Sequence, residues 1–369
     1  MKKLMLCVLC VLLLLPVSDR ASAESLYEKA ASLVGLDGLE AGLTEEEREI
    51  GGTLRGDGQY DASGALSRLW RRLLESLRDS LHSQLRFAAA LIALCLFCAL
   101  ASALTKEKSA MGTVSLAACC AAAAWIAGDW DSGIAQATNT LTRLSDYSKA
   151  ALPVVFTAAA AAGAPSSASV RYASACLALD VLMSAADRLI LPLIYSYLSL
   201  AVSGSIFDNP VLRAVQRLVK WCCVTSMTVM TLAFGAYISL SGLVAGSADA
   251  LAVKAARSVI AAALPVVGGI LSDSAAALLS AAGAIRSTAG IFSLLAVCAI
   301  CMGPFVFLSV KMLLLKAVGT LAEILPGGAL SRLLEECSNA FAMLLGLVGC
   351  CGSILFLSLM AGMKAVSSG

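Results

Sequence analysis

Long apolar stretches recur along this chain and fix what it can fold into. Residues 87–104, 110–128, 188–206, 221–245, 288–310 and 340–363 each come close to the roughly 20 apolar residues that cross a hydrocarbon core. No water is present at that depth to bond exposed backbone, so only helices or closed barrels can span, and runs this continuous read as helices. Hydrophobic residues make up 59% of the chain and charged residues 14%, and the mean hydropathy is +0.85. A soluble domain carries about 25% charge and cannot hide so much apolar surface. The expected fold is all-α and polytopic, with about 6–10 membrane helices.

The net charge of +2 leaves no electrostatic footprint for nucleic acid. Its distribution says more, because acids outnumber bases over residues 24–86 and bases outnumber acids over 87–369. A polar N-terminal segment therefore precedes a membrane domain. Residues 1–23 have the layout of a secretory signal: Lys2-Lys3, an apolar core from Leu4 to Leu15, Pro16, and Ala21-Ser22-Ala23 before Glu24. Cleavage after Ala23 fits the small-residue rule. The alternative, an uncleaved first membrane helix, has an apolar core that is short for a span.

The expected exported segment, residues 24–86, contains no cysteine and reads as helical. Thr44 followed by Glu47 is a capping-box pattern opening a short acidic helix, which Gly51-Gly52, Gly56 and Gly58 end. From Ala65 to Leu85, Leu66, Leu69, Trp70, Leu73, Leu77, Leu81 and Leu85 fall three or four apart, opposite arginines and acids. Such a helix either lies on the membrane before the first span or docks a partner's extracytoplasmic domain.

Two spans, 87–104 and 110–128, flank Lys106-Glu107-Lys108, whose positive charge belongs on the cytoplasmic side. The polar stretch Asp129 to Lys149 then reads as an outside loop. Beyond it one order of segments runs twice, over 150–246 and 259–363: two short apolar pieces, a span, a charged stretch and a further span. Ala151-Leu152-Pro153-Val154-Val155 is matched by Ala263-Leu264-Pro265-Val266-Val267. The short pieces split at Pro165-Ser166-Ser167 in the first copy and at Ser272-Asp273 in the second. Pro153, Pro265, Gly268, Gly269 and Asp273 are the candidate helix breaks, and re-entrant hairpins or paired crossings both return the chain to its starting side. Two parallel repeats follow, with Arg213, Arg217, Lys220, Lys311 and Lys316 in the cytoplasm. Chance resemblance in an Ala/Leu/Val-rich chain is the alternative.

A charge at membrane depth costs about 3 kcal/mol and has to face a partner or water. Asp180 and Asp273 are therefore candidate path-lining acids, with structural ion pairing or snorkelling as the competing role, and Asp187-Arg188 marks a turn. Gly242 and Gly246 form a G-x-x-x-G step for close helix packing. The 14 cysteines include C-x-x-C spacings at Cys95/Cys98 and Cys298/Cys301, but all of these lie in apolar helices where thiolate and polar neighbours are missing. They read as small hydrophobes. The single histidine, His82, stands among arginines, and no catalytic, cofactor-binding or metal-binding motif is present. Neither a cofactor nor an enzymatic role is expected.

The paired Ala-Leu-Pro-Val-Val stretches, Gly235-Ala236-Tyr237-Ile238-Ser239 through Gly242, Pro265 through Asp273, Arg286 to Gly290 and Pro304 together resemble the stage III sporulation protein AE family of endospore-forming bacteria. The resemblance implies a multi-pass protein of the mother-cell membrane around the forespore. It implies membership of a secretion-like channel complex that supports late forespore gene expression. The implied partners are other stage III A-series proteins, among them a cytoplasmic ATPase and ring-forming extracytoplasmic subunits, together with a forespore-membrane protein. No catalytic residue is carried over. A small-solute transporter and a scaffold that seats partner rings on the bilayer are the alternative readings.

Overall fold

The computed structural model describes residues 39, 42–51, 62–104, 108–161, 165–207, 209–263, 268–323 and 328–364, with side chains described outside 239–287 and a few helix ends. Its helices are α1 (Glu45–Gly51), α2 (Ala62–Leu104), α3 (Lys108–Ala161), α4 (Pro165–Ala185), α5 (Leu191–Phe207), α6 (Pro210–Ala263), α7 (Gly268–Ala322) and α8 (Ala329–Lys364). A π-helical turn at Ala186–Ile190 joins α4 to α5 without a break. No strand occurs among the described residues. The expected all-α fold is therefore found, and six helical stretches among the described residues are long and apolar enough to cross a membrane. Residues 1–23 lie outside the described residues.

Several helices exceed what a bilayer needs. Helices α3 and α6 have 54 residues each and α7 has 55, about 80 Å at 1.5 Å per residue against a hydrocarbon core of about 30 Å. Side-chain contacts set their relative heights. Helices α7 and α8 are antiparallel: Ser338 Oγ donates to the Met312 carbonyl at 2.8 Å, and Gly352 lies against Cys301. Helix α3 runs parallel to α8, because Cys119 lies beside Ala329, Trp130 stacks edge-on against Phe341 at 4.8 Å, and Val155 touches Gly362. On one flank α2 follows α7, with Leu69 and Leu73 packed on Ala299 and Met302. On the other flank α6 follows α8, Met227 lying against Gly346. The junctions α2–α3, α5–α6 and α7–α8 thus share one end, here the lower end. Arg213, Arg217 and Lys316 are exposed near it. Gly328, at φ 60°, supplies the left-handed residue that opens α8.

Several expectations change. The Asp129–Lys149 stretch is not a loop, because α3 runs through it. Its buried residues Ile134, Ala137, Leu141 and Leu144 keep helical spacing while Asp131, Ser132, Gln136, Asn139 and Asp146 face outward. Pro153 does not break α3; a proline removes one N–H, and the tightly buried Ala151, Leu152, Val154 and Val155 hold the turn. Ser272-Asp273 is helical too, inside α7, so the second split does not fall there. Asp187-Arg188 sits in the π-turn of a continuous crossing and marks no reversal. The amphipathic 65–85 stretch is coaxial with the span that follows, since no glycine or proline interrupts α2 between them. It does not bend onto the membrane surface.

Candidate membrane-embedded polar centre

Lys311 is the unexpected residue. On α7 it falls in line with Leu308, Leu315 and Val318, all buried, so helical spacing places it on the core face. It is 1% exposed. Its ammonium pairs with the Asp129 carboxylate of α3 and lies 3.8 Å from the centre of the Phe87 ring of α2. A second ring, Phe307, stands 5.9 Å away. Carboxylate and ring face together supply what water would, and a desolvated cation–π contact is worth about 2 kcal/mol. The pairing brings the two residues to one height, so a cytoplasmic Lys311 and an outside Asp129 cannot both hold.

Polar atoms gather around the pair. One turn from Phe87, Gln84 Nε2 donates to the Phe307 carbonyl at 3.2 Å. Gln84 Oε1 and Trp130 Nε1 are buried without a hydrogen-bond partner among the described residues. Buried polar groups left open cost about 1–3 kcal/mol each, so these atoms are the ones that a water or a further polar group would satisfy. The centre joins α2, α3 and α7.

A second polar group lies lower, between α5, α6 and α8. Tyr197 is fully buried and donates to Glu336, and Asn339 Nδ2 donates to the same carboxylate oxygen at 3.1 Å. Gln216 of α6 is buried beside them. At the upper level Glu47 closes the predicted capping box by accepting from Thr44 N at 2.9 Å. The same carboxylate pairs with Arg143 of α3, and neighbouring Glu46 pairs with Arg72 of α2. These contacts pin α1 to the bundle.

The candidate residues read from the sequence are scattered. Asp180 is exposed on α4 and makes no ion pair among the described residues. It adjoins an open groove of about 440 Å³ whose walls include Val181 of α4 and Met230 and Phe234 of α6. Pro153 is half-buried inside α3. Gly268 and Gly269 begin α7 and Asp273 follows within it, while Gly242 and Gly246 lie inside α6; the Asp273 side chain and residue Pro265 are outside the described residues. Close helix contacts are made at other glycines, among them Gly133, where an added Cβ would meet Phe341 Cε1 at 2.6 Å. Sequence reasoning missed Lys311, Asp129 and Gly133. The signal was present in the spacing of their neighbours, three and four residues away.

No group of metal ligands forms among the described residues. The described cysteines are free: Cys95 and Cys98 are buried, Cys301 is half-buried, and Cys298 is exposed on an apolar helix. The assembled features define a multi-pass helical membrane protein with charged groups folded into its core. A family model for stage III sporulation protein AE matches residues 52–366. The chain belongs to that family, a sporulation family not known as an enzyme. No curated protein and no solved structure matches the chain.

Proposed function

We propose that this chain is a non-enzymatic core subunit of the complex that joins the mother cell to the forespore and sustains late forespore gene expression. Family membership supplies the process. The Lys311–Asp129 pair carries the mechanistic part, because a simple anchor has no use for two charges at its centre. In this reading the lower end, with Arg213, Arg217 and Lys316, is cytoplasmic and meets the ATPase side of the assembly. Residues 24–86 open to the extracytoplasmic side and meet the ring-forming subunits and, beyond them, the forespore-membrane protein. The protein sits in the mother-cell membrane around the forespore.

The test separates a working pair from a packing device. Replacing both charges, Asp129→Asn with Lys311→Met, removes the pair without leaving a lone charge, a change that buried pairs often tolerate. The expected result is a chain that still assembles with its partners while a late forespore gene reporter falls silent. Full reporter activity would leave the scaffold reading in its place. Asp180, exposed on α4, supports the transporter alternative to the extent that Asp180→Asn abolishes the reporter as well.

A further inference from the structure

We infer that the upper faces of α2 and α3 border water at membrane depth, as one wall of an aqueous compartment enclosed when the assembly forms. The inference rests on the multi-pass reading and is independent of whether the Lys311–Asp129 pair is used.

The heights of the helices carry it. On α8, residues 346–350 touch both flanks: Gly346 meets Met227, Cys350 Sγ lies 2.9 Å from Thr231 Oγ1, and Gly349 meets Phe305 of α7. Val229 of α6 is therefore level with this part of α8. Helix α2 brackets Phe305 between Met302, packed on Leu69 and Leu73, and the Phe307 carbonyl, bonded by Gln84. Arg78 is thus at the same level. Asn139 of α3 falls there too, between Gly133 at Phe341 and Val155 at Gly362.

At this height the flanks differ in the charge they expose, α2 carrying Arg78 and Asp79 between exposed Leu74 and Leu81, and α4 and α6 showing hydrocarbon beside the acid Asp180. Val181, Val229 and Leu232 on α4 and α6 are 65%, 57% and 67% exposed. Arg71, Arg78 and Asp79 on α2, and Gln136 and Asn139 on α3, are exposed on the other flank. Each charge against lipid costs about 3 kcal/mol, so a bilayer all round is excluded at this level. Water all round would leave the α4–α6 face bare. Sliding the bilayer does not help. The apolar parts of α2 and α3, 87–104 and 110–128, begin at the level of the Lys311–Asp129 pair, where the apolar 288–310 and 340–363 parts of α7 and α8 end. Two surroundings at one height are what a lipid-facing subunit with a water-facing inner side requires.

Single substitutions Arg78→Cys, Asn139→Cys, Val181→Cys and Val229→Cys in the full-length chain, in isolated membranes that retain the complex, test this with a membrane-impermeant maleimide offered on both sides. The expected result is labelling of Arg78→Cys and Asn139→Cys well above the parent chain, with Val181→Cys and Val229→Cys at the parent level. Labelling of all four would place the upper half outside the bilayer and overturn the inference. No labelling of Arg78→Cys and Asn139→Cys would mean that protein or lipid covers the face, and would overturn it equally. The reporter behaviour of the Asp129→Asn/Lys311→Met chain is read separately, so either conclusion can fail without the other.

Discussion

Level with Gly346 to Gly349 on α8, the α4–α6 flank and the α2–α3 flank of the bundle differ in how much charge they expose. The first shows valine and leucine around an open apolar groove. The second mixes arginine, aspartate, glutamine and asparagine with exposed Leu74 and Leu81, and it carries ion pairs to the short helix α1. Between the flanks lies α8, buried along much of its length. The difference shows that apolar composition alone does not decide which side of a membrane helix meets lipid.

The largest expected effect comes from breaking the pair that sits at the foot of the charged flank. Asp129→Leu leaves Lys311 buried and uncompensated and is expected to cost about 3–5 kcal/mol, seen as a collapse of thermal stability in detergent. The double Asp129→Asn/Lys311→Met chain recovers most of it. A double variant as unstable as Asp129→Leu would show that the pair is not the source. At the seam between α3 and α8, Gly133→Leu drives a side chain into Phe341 and is expected to cost about 1–3 kcal/mol, read in the same melt. Arg143→Ala removes the partner of a mostly buried Glu47 and should cost about 1–3 kcal/mol locally, appearing as faster proteolysis or amide exchange across α1 with the melting point little changed.

The smallest effect sharpens the comparison from its apolar side. Asp180 is an exposed acid on the flank that otherwise shows hydrocarbon. Asp180→Asn is expected to leave stability unchanged within about 0.5 kcal/mol and to raise membrane-inserted yield slightly. A marked loss of stability would reveal a partner for it.

Much of the fold was legible. The Glu47 half of the capping box at Thr44 and Glu47 is present, and the three-four spacing of leucines through 66–85 is the periodicity of a real helix. What misled was polarity averaged along the chain. Residues 129–149 contain enough Asp, Thr, Asn and Ser to look like a loop, yet Ile134, Ala137, Leu141 and Leu144 repeat at helical intervals and are buried. Lys311 was read as cytoplasmic because positive charge after a span usually is. Its burial depends on Asp129 lying opposite, a long-range pairing that neither local window contains. Proline and glycine were overweighted for the same local reason: α3 passes through Pro153, and α7 is helical from Gly268 through Asp273.

One measurement bears on the two-sided bundle most directly: a single arginine added at one height on either flank, Val229→Arg against Asn139→Arg, with membrane-inserted yield as the readout. The account predicts that Val229→Arg loses insertion by about 3 kcal/mol, on the order of a hundredfold in the insertion equilibrium, while Asn139→Arg inserts like the parent. Equal losses at both positions, or none at either, would contradict it.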